Sequence, residues 1–403
     1  MRFLKLIDYK MAVIKFHKLL VYLCFFNMRM IYAQELPILA FHGVQKEYTS
    51  VENFNVMKRA GLKINFSIYK SNEDVKIALD KAELAGVKIL IYSDDLVHFP
   101  RETVLRFRDH PALFGYYITD EPTSEEFKNV ESRITVIKKY DTIHPVYVNL
   151  YSNYAQLSQL KKNSYDDYIN DFVHSVPVDF ISFDNYPLMN NKIHNNWYQN
   201  LEQIRYYSML TKKNFWAFAN ATVFDLYSQP TIASLKLQMY SNLLYGAQGL
   251  QYFTYWTLDD ENWKKNNFKH AIVDSHGRPT VTYNIVQKTN SDIQNYAHVF
   301  LGSTVEKVFH TGGEVPIATK KLLSRPSYFK YFNINKPSLV SYIKNNSKKY
   351  IAILNKSLTD IATFVIEPRG YYFYLNDKGK EVLGKSGRQT FKILPGDVLI
   401  LSY

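Results

Sequence analysis

Residues 113–122, which read Leu-Phe-Gly-Tyr-Tyr-Ile-Thr-Asp-Glu-Pro, form an apolar and aromatic run that ends in two acids and a proline. The run predicts a strand buried on both faces. A glutamate placed at its open end, against apolar walls, can keep its proton near neutral pH and act as a general acid. Pro122 would stop the strand and fix the direction of Glu121. The alternative is an ordinary strand-to-helix junction in which Asp120 and Glu121 are solvated or cap the next helix.

Polar or aromatic residues also lie near the ends of the other apolar runs of the chain. They are His42, Asp94 and Asp95, Asn149, Asp184 with Tyr186, Asn220, Trp256, and Asp259, Asp260 and Glu261. Paired carboxylates with amides and aromatic rings are the groups that cleavage of a glycosidic bond requires. Trp256 is the main candidate for a ring on which a sugar stacks, and Trp197 is a second one. For Asp184 the alternative is an Asx turn that braces its loop, and for the acidic run 259–261 it is a solvated turn.

Eight short apolar runs must position these side chains, and each is bounded by Pro, Asn, Asp or Gly. They are residues 36–44, 63–69, 87–93, 113–119, 145–152, 178–184, 215–220 and 249–257. Helix-like segments with start and stop signals separate them, as between Ser50 and Gly61. This alternation predicts a (β/α)8 barrel, whose strands would bring their carboxyl ends to one face. A doubly wound open sheet is the alternative, and the lack of a glycine-rich first turn disfavours it.

The chain divides into three predicted parts. Residues 1–33 resemble a removable signal peptide, with a basic start, a short apolar core and a small-residue cleavage site, which predicts a secreted or periplasmic protein. Residues 34–303 would form the barrel. Residues 304–403 carry strand-like segments and turns without a helical pattern, which predicts a small antiparallel β-sandwich. Cys24 is the single cysteine; it lies in the leader, and the residues before it do not favour a lipid anchor.

Composition and motifs argue against several function classes. The leader holds six bases and one acid, so +5 of the net charge of +12 belongs to it and +7 remains, without a basic block that would favour nucleic acid. Isolated histidines without ligand spacing argue against a catalytic metal. No nucleophile-elbow motif and no phosphate-binding loop is present, so we expect no cofactor. Eight apolar residues in the leader are too few to span a bilayer.

Three stretches resemble the clan A glycoside hydrolases, most closely the catalytic barrel of glycoside hydrolase family 42 in secreted bacterial proteins. They are residues 115–122 (Gly-Tyr-Tyr-Ile-Thr-Asp-Glu-Pro), 180–187 (Phe-Ile-Ser-Phe-Asp-Asn-Tyr-Pro) and 245–256 (Tyr-Gly-Ala-Gln-Gly-Leu-Gln-Tyr-Phe-Thr-Tyr-Trp). The resemblance implies a β-galactosidase-like O-glycoside hydrolase that acts on an oligo- or polysaccharide. It places the acid/base glutamate at Glu121, with Asp120 where the clan has an asparagine.

The seventh strand departs from that pattern. The clan carries its nucleophilic glutamate at the end of this strand, whereas residues 214–221 here contain no acid, and Asn220 occupies the place. Asp184 is then the first candidate for the second catalytic carboxylate, with Asp95, Asp259 and Asp260 after it. His42, Asp95, Asp120, Asn149, Tyr186, Asn220 and Trp256 are the candidate substrate-binding residues. Two alternatives stay open: a non-catalytic carbohydrate-binding protein on a degenerate hydrolase barrel, and a scaffold whose sandwich docks a partner.

Overall fold

Eight parallel strands close into a barrel in the computed structural model, which describes residues 35–190, 192–194 and 196–403. The predicted leader, with Cys24, lies outside the described residues. The barrel strands are β1 (Ile38–Ala40), β2 (Ile64–Phe66), β3 (Lys88–Ile91), β4 (Leu113–Asp120), β5 (Val146–Leu150), β6 (Phe180–Phe183), β9 (Asn214–Asn220) and β10 (Gly249–Phe253). They are hydrogen-bonded in chain order, and β10 closes on β1. A two-stranded hairpin, β7 (Leu188–Met189) and β8 (Lys192–Ile193), interrupts the series. The (β/α)8 barrel is therefore confirmed.

Helices connect the strands on the outside of the barrel. Along the described chain they are α1 (Val51–Arg59), α2 (Asn72–Ala85), α3 (Asp94–His98), α4 (Pro100–Phe107), α5 (Phe127–Tyr140), α6 (Leu157–Leu160), α7 (Tyr165–Ser175), α8 (Trp197–Thr211), α9 (Ile232–Tyr245), α10 (Glu261–Lys265), α11 (Val281–Asn295) and α12 (Ala297–Phe300). The expected caps form, since Ser50 accepts a hydrogen bond from the Asn53 amide and Gly86 ends α2 with φ 69°. No helix among the described residues is long and apolar enough to cross a bilayer.

Aromatic rings fill much of the barrel interior. Tyr117 stacks on Phe66 at 4.1 Å between ring centroids and on Tyr147 at 5.3 Å. Phe180 stacks on Trp216 at 4.7 Å. Gly249 leaves the space that Trp216 needs, because a Cβ at this glycine would lie 2.1 Å from the indole ring. Much of the high tyrosine and phenylalanine content thus serves packing rather than ligand binding.

Two antiparallel sheets follow the last barrel helix. One has the order β11 (Thr304–His310), β13 (Ser338–Asn345), β14 (Lys348–Asn355), β19 (Val398–Ser402), β16 (Phe373–Leu375) and β17 (Glu381–Leu383), and the other is β12 (Phe329–Ile334), β15 (Ala362–Pro368) and β18 (Gln389–Ile393). The predicted β-sandwich is confirmed as a fold. Its strands β11, β12 and β17 were not foreseen, because charged residues interrupt their alternation.

Buried polar contacts join the barrel helices to the sandwich. The amine of Lys236 on α9 lies 2.8 Å from Asp292 on α11 and 2.7 Å from Asp397, which precedes β19. The Asn345 amide donates to the backbone oxygens of residues 298, 299 and 301, which satisfies the end of α12. The Ser341 hydroxyl donates to the backbone oxygen of Leu244 at 2.8 Å. These contacts hold the larger sheet on the outer helices of the barrel.

Candidate active site

Three carboxylic side chains meet at the carboxyl ends of neighbouring barrel strands. Asp120 is the last residue of β4, Glu121 follows it, and Asp184 follows β6. Asn149 lies between them on β5, and its Nδ2 donates to Asp120 Oδ1 at 3.1 Å and to Asp184 Oδ1 at 3.2 Å. One amide group therefore holds two of the acids in place.

A buried hydrogen-bond chain below this cluster fixes the orientation of Asn149. The Tyr147 hydroxyl donates to Gln251 Oε1 at 2.6 Å, Gln251 Nε2 donates to Ser182 Oγ at 2.9 Å, and the Ser182 hydroxyl donates to Asn149 Oδ1 at 2.9 Å. Because the amide oxygen accepts from Ser182, the amide nitrogen must face the two aspartates. Asn149 was predicted as a substrate-binding residue, but it is 3% exposed and donates hydrogen bonds to two acids of the protein. We therefore assign it the role of positioning Asp120 and Asp184.

Glu121 is held as a protonated acid by its surroundings. Burial raises its pKa, and the negative charges of Asp184 and Asp120 raise it further. Glu121 also has φ 43°, a left-handed conformation that costs a non-glycine residue about 1–2 kcal/mol. The backbone is thus bent so that this side chain turns towards Asp184.

Asp184 and Asp120 also have raised pKa values. For Asp184 the causes are burial and the charge of Asp120, opposed by hydrogen bonds from Tyr186 and Asn149. For Asp120 the loss of hydration in the crowded mouth raises the pKa, and hydrogen bonds from Asn149 and Tyr117 oppose the rise. Asp120 nevertheless keeps part of its surface exposed to solvent. We therefore expect Asp120 to be the most readily ionised of the three acids.

Aromatic rings wall the cleft around the acids. Tyr186, whose hydroxyl lowers the pKa of Asp184, packs against Phe253 at 5.1 Å and Tyr227 at 5.9 Å. His42 has φ 45° and its ring lies 6.1 Å from that of Phe253 and 5.9 Å from that of Trp263. Burial lowers the pKa of His42 to about 4, although the charge of Asp260 opposes the shift. His42 is therefore a neutral imidazole at physiological pH, able to donate or accept one hydrogen bond.

Several predicted substrate-binding residues do not face the cleft. Trp256 is 3% exposed, donates its indole N–H to the Ser275 backbone oxygen and packs on Tyr48, so the prediction of a stacking surface there was wrong. Trp197 is 1% exposed and lies in the core. Both indole rings therefore pack in the protein interior and are not exposed to a ligand.

Asp95 and Asn220 are also engaged elsewhere. Asp95 is the second residue of the short helix α3 and accepts a hydrogen bond from the Asn72 backbone amide at 2.6 Å, which ties two loops together. The Asn220 side chain donates to the Thr222 backbone oxygen at 2.9 Å and accepts from the Thr222 amide at 3.3 Å, so it closes on its own loop. Both side chains are engaged by their own or neighbouring loops, and their role in substrate binding stays a prediction.

Two aromatic residues at the mouth were missed by the sequence analysis. Trp263 lies half-buried on α10, whose first amides are capped by Asp260 at 3.0 and 3.4 Å. Tyr154 follows β5, is 43% exposed, and has a pKa that burial and the charge of Asp184 raise. Asp260, a residue type that often caps helices, was the only sequence signal for the helix that carries Trp263.

In the described part of the chain, no group of three or more His, Cys, Asp or Glu side chains is arranged to hold a metal ion.

Comparison with known proteins finds the same architecture at very low sequence identity. No family model and no curated protein matches the sequence. A glycoside hydrolase family 42 β-galactosidase from G. stearothermophilus, solved as a catalytic mutant, aligns with a TM-score of 0.61 and 9% identity over 91% of this chain and 98% of its own. A family 39 glycoside hydrolase from the gut symbiont Bacteroides cellulosilyticus WH2 aligns with a TM-score of 0.54 and 11% identity over 92% and 81%. The chain shares their fold.

A third alignment covers less of its partner. The β-galactosidase from the psychrophilic Marinomonas ef1 aligns with a TM-score of 0.48 and 9% identity over 65% of this chain. The chain spans 60% of that enzyme's length, which is less than two thirds of it.

Proposed function

We propose that this protein is an O-glycoside hydrolase in which Glu121 is the general acid and Asp184 the second catalytic carboxylate. The observation that carries the proposal is the grouping of Asp120, Glu121 and Asp184 at the strand ends, where burial and the charges of Asp184 and Asp120 raise the pKa of Glu121 to about 9. A carboxylic acid that keeps its proton at neutral pH is what protonation of a departing sugar oxygen requires. The fold shared with two glycoside hydrolases supports the same reaction class.

The reaction would begin when a sugar enters between the two acids. Glu121 would give its proton to the glycosidic oxygen as the bond from that oxygen to the anomeric carbon breaks, which releases the leaving group as an alcohol. The Asp184 carboxylate, held by Asn149, would bond to the anomeric carbon, and a water molecule that gives its proton to Glu121 would then displace it, which restores both acids. Asp120, held by the same amide, is placed to accept a hydrogen bond from a sugar hydroxyl. His42, Trp263 and Tyr154 would contact the apolar and polar faces of the ring.

The separation of the acids bears on the mechanism. Glycosidases that retain configuration hold their carboxyl groups about 5 Å apart, and those that invert it hold them about 6.5–9.5 Å apart. The charge of Asp184 raises the pKa of Glu121, which indicates that the two acids lie close together. We therefore propose the retaining mechanism, which uses the shorter separation, with Asp184 as the nucleophile.

A second candidate function is carbohydrate binding without cleavage. Its supporting observation is Asn220, which ends β9 with its amide bound to Thr222, at the place where the resemblance puts a nucleophile. A barrel that retains an acid but has no working nucleophile would hold a sugar and leave its bonds intact.

A screen of aryl glycosides with the full-length protein tests the two functions. We expect turnover of at least one glycoside and its loss by at least about 10³-fold in Glu121→Gln, because a positioned acid contributes about 10²–10⁴-fold. Glu125→Gln is the matched control: this glutamate is exposed four residues further on and should leave turnover unchanged. Binding of a glycan without turnover in the unmodified protein would favour the binding function, and equal turnover in Glu121→Gln would remove Glu121 from the mechanism.

A further inference from the structure

The sandwich carries an open groove that shares no residue with the barrel mouth. It has a volume of about 530 Å³ and lies between the start of β12, the turn from β15 to β16 and the loop after β17. This volume is within the range of small-ligand sites. The groove is therefore large enough for part of a polymer chain.

The charge of the groove has one sign. Among the described residues that line it, Lys330, Arg369 and Lys385 are basic and none is acidic. Arg325 adds a fourth base at its edge, because its guanidinium donates to the backbone oxygen of Lys330. Arg388 adds a fifth, 4.0 Å above the Tyr331 ring and 3.8 Å from the nearby Glu367. Such a concentration of exposed bases favours a ligand that carries repeated negative charges.

An exposed aromatic ring lies beside these bases. Tyr371 is 89% exposed, and its backbone oxygen accepts a hydrogen bond from the Tyr328 hydroxyl. The Tyr328 ring in turn stacks on Tyr403 at 4.2 Å. An apolar ring surface held out on an anchored turn is costly to leave in water and suits the face of a sugar ring.

Hydrogen bonds and close packing fix the backbone of the groove walls. The Arg369 amide donates to the Tyr328 backbone oxygen at 2.9 Å and its Nε donates to Ser327 at 3.0 Å, which fixes the guanidinium plane. On the other side, a Cβ at Gly384 would lie 2.0 Å from the Tyr372 ring, so the loop that carries Lys385 packs directly on that ring. The bases and the Tyr371 ring are therefore presented from fixed backbone positions.

We propose that this groove is a second binding site, for an acidic polysaccharide that carries carboxylate or sulfate groups. The bases would pair with the acid groups of successive sugars while Tyr371 covers one sugar ring. A nucleic acid would require several stacking rings along a basic track, whereas this groove offers a single exposed ring. The choice of a glycan over other polyanions rests on the proposed function, but binding here does not require the chain to cleave anything.

Binding of the full-length protein to four probes tests the proposal: polygalacturonate, dextran sulfate, neutral dextran and a single-stranded DNA oligonucleotide. We expect binding to polygalacturonate or dextran sulfate that weakens with added salt, and none to dextran. Binding to one of the two acidic polymers identifies carboxylate or sulfate as the group recognised. Tyr371→Ala should weaken binding about fivefold, and Arg369→Gln combined with Lys385→Gln about tenfold.

Two control variants separate the groove from general surface charge. Tyr206→Ala removes a tyrosine that is 59% exposed on α8, and Lys378→Gln removes an exposed lysine on another turn of the sandwich. Both should change binding by less than about twofold. The proposal is overturned if the groove variants bind like the unmodified protein, if dextran binds equally well, or if DNA binds as tightly and with the same losses. Turnover of a small aryl glycoside should be unchanged in the groove variants, so a failure of binding and a failure of hydrolysis are seen independently.

Discussion

Asn149→Ala is the substitution that most directly tests how the candidate site is held together. It removes both N–H donors that the amide gives to Asp120 and Asp184, at 3.1 and 3.2 Å. Each donor stabilises the charged form of its carboxylate, and each bond lowers the pKa of its acceptor. Loss of the donor must therefore raise the pKa of each acid.

The size of the effect follows from the strength of the lost bonds. A hydrogen bond to a charged group contributes about 1.5–3 kcal/mol, and water in the open cleft can replace part of it. A net loss of about 1.4 kcal/mol per carboxylate corresponds to about one pKa unit. Because Asp184 must be ionised to act on the anomeric carbon, the acid limb of the kcat/KM profile should move up by about one unit. Activity should thus fall more at pH 6 than at pH 8.

The assay is kcat/KM from acid to alkaline pH with whichever aryl glycoside the screen identifies. Ser182→Ala is the graded control, since it removes the hydroxyl that orients the amide oxygen but leaves both N–H donors. We expect a smaller shift in that variant, below about half a unit. The pH dependence of thermal unfolding should shift in the same direction and requires no substrate. If Asn149→Ala lowers kcat/KM while its acid limb stays in place, Asn149 does not set the ionisation of Asp184.

Three other predictions concern the acids, the reaction and the junction. The pKa of Glu121 is raised in the folded protein, so the stability of the protein falls as pH rises from 4.5, the ordinary pKa of a glutamate, towards the raised value. Glu121→Gln should therefore have a Tm about 2 °C above that of the unmodified protein at pH 8, and a smaller gain at pH 5. A difference in Tm that does not change with pH would contradict the raised pKa. The first anomer released should retain its configuration by proton NMR, and inversion would exclude Asp184 as the nucleophile. Lys236→Met should lower the free energy of unfolding by about 3 kcal/mol in urea, because its side chain is only 9% exposed and its amine pairs with two acids. Lys288→Met, whose side chain is 60% exposed and pairs with one of the same acids, should cost less than about 1 kcal/mol; equal losses would show that burial of Lys236 is unimportant.

The barrel was predictable from the sequence because its signals are local. Parallel strands buried on both faces produce short apolar runs, and all eight predicted runs contain the observed strand or overlap it. The helices between them carry caps that can be recognised within four residues, such as Ser71 and Gly86 around α2. The edge strand β11 was missed because Glu306 and Lys307 sit at a bulge, where the alternation of apolar and polar residues breaks.

The candidate site was predictable only in part, because side-chain partners are not local. Strand ends indicated Glu121, Asp120 and Asp184 correctly as neighbours in space. The sequence could not show that the Asn149 amide donates to two acids, nor that the Asn220 side chain hydrogen-bonds within its own loop. Those outcomes depend on contacts between strands, which one sequence without the fold does not specify.

The junction at Lys236 has a consequence for how this chain could evolve. Cutting the chain after the barrel would strand the amine of Lys236 beside one acid instead of two and would leave the backbone oxygens that Asn345 satisfies without donors. A recombination event that exchanged the sandwich for an unrelated module would meet the same losses. The sandwich is therefore part of what stabilises the outer helices of the barrel, and a chain that exchanged it would need new partners for Lys236 and for the end of α12.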